Sequence, residues 1–135
     1  MADNKNRIYA VAILEDIFFA SKIRIAAESA GLDIEFVKGT EGVTGAAFSG
    51  TPSLVIVDLA NKNINALQLI GIIKARDNLK GARVLGYLPH VEKGLMKDAL
   101  DAGYDMVLPR SKFSHELIEI LAGITAAAGR TPLTQ

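Results

Sequence analysis

Apolar residues along this chain come in short unbroken runs that alternate with stretches of helical spacing, and the alternation predicts its architecture. Residues 8–14 (IYAVAIL) form a continuous apolar run bounded by polar residues, as in a strand buried on both faces of a parallel sheet. Phe19, Ile23, Ala26, Ala27 and Ala30 then recur at helical spacing, and Gly31 stands where a helix would end in a left-handed residue. A short strand is predicted at 34–37. Over 41–48, Val43, Ala46 and Ala47 make a thin helical stripe, weakened by Gly42 and Gly45. Thr51 and Pro52 break the chain before a third buried strand at 53–58 (SLVIVD), which ends in a carboxylate.

The same rhythm continues to the end. Ala66, Leu69, Ile70 and Ile73 share one face of a helix predicted over 66–77, and 83–88 (RVLGYL) reads as the fourth strand. Leu95, Ala99 and Ala102 mark a helix before Gly103, and 105–108 (DMVL) is the fifth strand. Ser114 offers the hydroxyl of an N-cap to a last helix with Leu117, Ile120, Leu121 and Ile124 on its inner stripe. Strands and helices in strict alternation predict an α/β fold: a five-stranded parallel sheet with helices on both faces. The expected topology is flavodoxin-like, a three-layer sandwich with strand order 2-1-3-4-5. A single domain over 8–128 is expected, flanked by tails at 1–7 and 129–135.

Composition narrows the function classes. Half of the 135 residues are hydrophobic and 22% are charged, enough apolar surface to offset the entropy of folding one domain. Fifteen basic and fifteen acidic side chains cancel without long runs of either sign, so the electrostatic footprint of a nucleic-acid binder is missing. No apolar stretch approaches the roughly 20 residues that cross a bilayer, and residues 1–7 are polar with no signal-type segment behind them. No membrane contact and a cytoplasmic location are the expectation. Without cysteine, thiolate chemistry and disulfides are excluded, which leaves carboxylates, hydroxyls, amines and two histidines.

Chemistry gathers at the strand ends. In an open parallel sheet the carboxyl ends of the strands beside the reversal of strand order carry the ligand site, and the first and third strands flank that point. The first ends in Glu15 and Asp16, the third in Asp58, so three carboxylates are expected at one mouth. Like charges at close range raise one another's pKa unless a cation neutralises them, and oxygen-only ligands suit Mg²⁺. Pro109 and Arg110 end the fifth strand, which brings a permanent positive charge to pair with Asp58 or with an added phosphoryl group. Acidic residues often follow buried strands simply because the chain leaves the core there. Convergence of three is what separates this set from ordinary surface.

The segments AILED at 12–16, VIVDLA at 55–60 and ALDAGYDMVLPRSKF at 99–113, followed by an amphipathic helix, resemble the receiver domain of bacterial two-component response regulators. The resemblance implies that Glu15 and Asp16 bind Mg²⁺, that Asp58 accepts phosphate from a histidine kinase or phosphotransfer protein, and that Ala60 offers its carbonyl to the metal. It also implies a downstream effector protein. The face made by the helix around Leu95, the fifth strand and the last helix, with Gly94, Lys97, Lys112 and Phe113, is where receivers dock partners or dimerise. Departures from the family are equally clear. Its threonine or serine at the end of the fourth strand aligns with Leu88, followed by Pro89 and His90. Its lysine aligns with Arg110, the proline after that lysine with Ser111, and its aromatic switch residue with Val107. In the loop after Asp58, Lys62 and Ala66 stand where the family commonly has Pro and Gly.

His90 could take over part of the missing hydroxyl contact. It and His115 share no spacing with the carboxylates that would make them metal ligands, and Tyr87 and Tyr104 read as packing residues. Three readings follow: a phosphorylated receiver acting as a signalling module and not an enzyme, a pseudo-receiver that binds partners without phosphorylation, and a small flavodoxin-like enzyme or nucleotide-binding domain. The last lacks G-x-G-x-x-G after the first strand and any G-x-x-x-x-G-K-[ST] loop. Nothing in the pattern after the last helix suggests an output domain, so the controlled partner is expected on another chain or on further sequence.

Overall fold

Each apolar run becomes a strand, and the five strands pair side by side in parallel. A computed structural model describes residues 8–39, 41 and 51–129. The strands are β1 (Ile8–Ile13), β2 (Leu32–Val37), β3 (Leu54–Asp58), β4 (Arg83–Leu88) and β5 (Met106–Pro109), in the order β2-β1-β3-β4-β5. Described helices are α1 (Ile17–Ala30), α2 (Ala66–Ala75), α3 (Lys93–Ala102) and α4 (Arg110–Gly129). Apart from Glu41, the helix expected over 41–48 lies outside the described residues, as do the tail at 1–7 and that expected at 129–135 but for Gly129, which ends α4.

Side chains alternate across the pleat and build two cores. Ala10, Ala12, Leu54, Ile56, Leu85 and Tyr87 pack against α1 and α4. Val11, Ile13, Val55, Val57, Val84, Leu88 and Val107 pack against α2 and α3. Gly31 ends α1 at φ 73°, with its N–H bonded to the carbonyls of Ala27 and Glu28, as the sequence predicts. Gly103 closes α3 at φ 128°. Gly86 serves a different need: a Cβ there would lie 2.9 Å from Leu59 Cδ2.

Several boundaries move. β2 starts at Leu32, which is buried and pairs with Ile8. α2 stops at Ala75 because Arg76 turns extended, at ψ 133°. β5 begins one residue late, since the Asp105 carboxylate accepts the Val84 N–H at 2.8 Å from beside the sheet. On α3, Met96 packs inward and Ala102 is exposed. Ser114 is not an N-cap: α4 starts at Arg110 directly after β5, and Ser114 lies inside it, accepting a hydrogen bond from Lys22 Nζ at 3.0 Å. The buried stripe starts a turn early, at Phe113, and continues through Leu117 and Leu121.

Candidate functional site

β1 and β3 lie side by side at the centre of the sheet, and their helices leave in different directions, so their carboxyl ends open a cleft. Asp58 is the last residue of β3 and is half-buried. Its Oδ1 accepts the Ala60 N–H at 2.9 Å, and its carbonyl accepts the Asn61 N–H at 3.0 Å, which folds the chain back beneath the carboxylate. Burial pushes the Asp58 carboxyl above the usual carboxylate range. The Ala60 N–H and the Arg110 guanidinium oppose that rise, and the neighbouring Asp16 charge adds to it.

Asp16 caps α1. Its Oδ1 accepts the Phe18 and Phe19 N–H groups at 2.9 and 3.1 Å, filling donors that the first turn of a helix leaves open. Its Oδ2 lies 3.6 Å from Arg110 Nη1. Among the described residues, the direct ionic partner of Arg110 is therefore Asp16, while its charge still reaches Asp58. The pair is largely solvated, so its worth to stability is about 0–1 kcal/mol.

Glu15 is exposed, and its carboxylate accepts a hydrogen bond from the Asn63 side chain. Asn63 comes from the loop after β3, which is braced by Asn61. That buried side chain donates to the Lys38 carbonyl at 2.9 Å and accepts the Asn63 N–H at 2.9 Å. Three sequence-predicted residues, Asp16, Asp58 and Arg110, thus act on one another directly, while Glu15 is tied to the loop. Ala60 is exposed beside Asp58. Among the described residues, no three His, Cys, Asp or Glu side chains form a group that could hold a metal ion unaided. The donors at the mouth are nonetheless all hard oxygens, and the mutual repulsion of Asp16 and Asp58 is what a divalent cation would relieve, so the set fits Mg²⁺.

Three aromatic rings make the floor. Tyr87 pairs with Asp58 across β3 and β4 and shares its face of the sheet. Its ring lies 5.0 Å from Phe19 and 5.3 Å from Phe113, and those two are 5.8 Å apart. Phe19 and Phe113 each stand one turn beyond a charged site residue, Asp16 and Arg110. Tyr87 is 1% exposed, and among the described residues its hydroxyl has no hydrogen-bond partner. By contrast the Tyr104 hydroxyl donates to the Ala66 carbonyl at 2.8 Å. Leu88 and Val107 are buried on the opposite face, against α2 and α3. His90 and His115 are both exposed. Sequence reasoning missed Asn61, Asn63 and the Tyr87 hydroxyl. Burial runs unbroken from Val84 to Leu88, so no burial pattern in the fourth strand could have set Tyr87 on the side of Asp58; the β3–β4 register does.

Solved structures match this fold over almost their full length. A response regulator from Hahella chejuensis has a TM-score of 0.80 at 13% identity, covering 92% of this chain and 99% of its own. The chain has the receiver fold. The phosphorylated cyanobacterial phytochrome response regulator RcpA has a TM-score of 0.75 at 14% identity, covering 93% and 99%. HP1043, an orphan response regulator of H. pylori, has a TM-score of 0.72 at 18% identity, covering 91% and 97%. At such identities the receiver likeness is one of fold. No protein-family model matches the sequence, and no curated protein matches it.

Proposed function

We propose that this receiver-fold chain is a response-regulator module that accepts a phosphoryl group on Asp58 with Mg²⁺ and signals through protein contacts. The observation that carries this is the setting of Asp58. It ends a buried strand at the reversal of strand order, with its carboxyl raised by burial and flanked by Asp16 and Arg110. A more basic carboxylate is the better nucleophile. One Asp58 oxygen forms the new P–O bond while the donor's P–N bond breaks and its electrons leave with the imidazole of a phosphohistidine. Arg110 suits the transferred group, because a guanidinium paired at 3.6 Å with one carboxylate can also serve phosphoryl oxygens. Glu15, Asp16, Asp58 and the Ala60 carbonyl are the groups that would hold Mg²⁺, which when bound neutralises the carboxylates and the phosphoryl charge. A histidine kinase or phosphotransfer protein is the donor in this reading, and an effector protein is the receiver of the signal. In this reading the module works in the cytoplasm and is not a metabolic enzyme.

Incubation with acetyl phosphate and Mg²⁺, followed by intact mass measurement, tests the reading. One phosphate adduct is expected, absent in Asp58→Ala. No adduct, or one undiminished in the variant, removes Asp58 as the acceptor.

A second reading has its own support. Leu88 and Val107, where receivers carry a hydroxyl and an aromatic switch, are both apolar and buried here. That favours a phosphorylation-independent interaction module, and an orphan regulator among the matching folds is in keeping with it. Calorimetry with millimolar Mg²⁺ separates the two. Binding lost in Asp16→Ala supports the first reading, and no binding supports the second.

A further inference from the structure

Among the described residues, the buried Tyr87 hydroxyl has no hydrogen-bond partner. A hydroxyl enclosed without a hydrogen-bond partner costs the fold the desolvation of that group, and such groups are rare in native proteins. The ring cannot easily turn away, because Phe19 and Phe113 hold it from two helices. Those helices begin with Asp16 at the α1 cap and Arg110 at the start of α4, and the strand neighbour of Tyr87 is Asp58. The three charged site residues and the three rings thus form one unit, with the charges above and the rings below.

We propose that the Tyr87 hydroxyl is a hydrogen-bond donor to a tetrahedral oxyanion held at Asp58, and that it lacks a partner because its acceptor arrives with that anion. The proposal rests on the reading of Asp58 as phosphoacceptor. The Asp58 carboxylate already takes the Ala60 N–H on Oδ1 and makes no bond to Tyr87. A phosphoryl group extends the acceptor atoms beyond that carboxylate, within the cleft that the ring floors. Burial, followed by the negative charges of Asp58 and Asp16, pushes the Tyr87 phenol far above its ordinary value, so it remains a donor at any physiological pH. The hydroxyl missing at Leu88 is thereby supplied one residue earlier and from the opposite face of β4. Leu88 itself stays in the core against α2 and α3. Tyr87 is a positioning and binding residue for the anion and does no proton transfer.

Beryllium fluoride with Mg²⁺, added to the full chain and followed by ¹⁹F NMR, is the probe. The parent protein is expected to bind it, and Tyr87→Phe to bind about tenfold more weakly, the loss of one hydrogen bond to a charged acceptor. Mg²⁺ affinity should be unchanged, and Tm should be no lower than in the parent, since the ring is kept and only an unpartnered oxygen is removed; a purely packing role would leave the anion affinity alone. Equal binding by Tyr87→Phe while the parent binds overturns this proposal and leaves the Asp58 reading intact. No binding by the parent overturns both. A second readout needs no variant: the ¹³Cζ resonance of Tyr87 should shift when beryllium fluoride binds, and an unmoved resonance overturns the proposal.

Discussion

A carboxylate that is half-buried beside another carboxylate works against the fold that holds it, and Asp58 is so placed. Its folded pKa lies above the ordinary value of 3.8, so the folded state binds this proton more tightly than the unfolded state does. Asp58 therefore favours folding at pH below its unfolded value, and that contribution is lost as pH rises through the raised folded value. Asp58→Asn should be more stable than the parent at pH 7 in urea denaturation, and the gap should close as pH falls towards 3.8. A gap that ignores pH would contradict the burial account. Residues of this kind were legible because strand ends are fixed by where apolar runs stop, which identified Asp16, Asp58 and Arg110 alike. Tyr87 was not legible as a polar group. In the run RVLGYL a tyrosine reads as packing, and only the pairing of β4 with β3 decides which face its hydroxyl serves.

Helix α1 depends on the same residue that lines the cleft. Asp16 has one oxygen on the first-turn N–H groups and the other towards Arg110. Asp16→Ala should cost about 1 kcal/mol in urea denaturation, the usual loss of an N-cap, while Asp16→Asn should cost only a few tenths because the cap survives. Equal losses in the two variants would mean that the ion pair, and not the cap, matters at this position. Helix interiors followed directly from spacing, and Gly31 and Gly103 marked two C-termini in advance. The start of α4 did not. A capping serine at 114 is a local signal, and it was overridden by Phe113, whose complete burial between α1 and β4 pulls the helix back to Arg110.

One sheet divides the molecule into two cores, and neither encloses itself without the other. Ile23→Ala on the α1 side and Ile73→Ala on the α2 side should each cost about 2–5 kcal/mol. Each variant should still unfold in one transition, with far-UV circular dichroism and tyrosine fluorescence coinciding. Separate transitions would mean that the two layers hold independently. The order β2-β1-β3-β4-β5 was legible because five buried runs with crossover-length connections admit few parallel arrangements. How the site is wired to each layer was not, since that depends on which neighbour each strand end faces. One junction now takes on a mechanical meaning. β5 passes into α4 with no residue between Pro109 and Arg110, so the connection has no slack. A residue inserted after Pro109 would rotate the helix by about 100° relative to the strand. That single step would swing the guanidinium out of the cleft and withdraw one ring from the floor together, so at this joint the chain's length is as constrained as its chemistry.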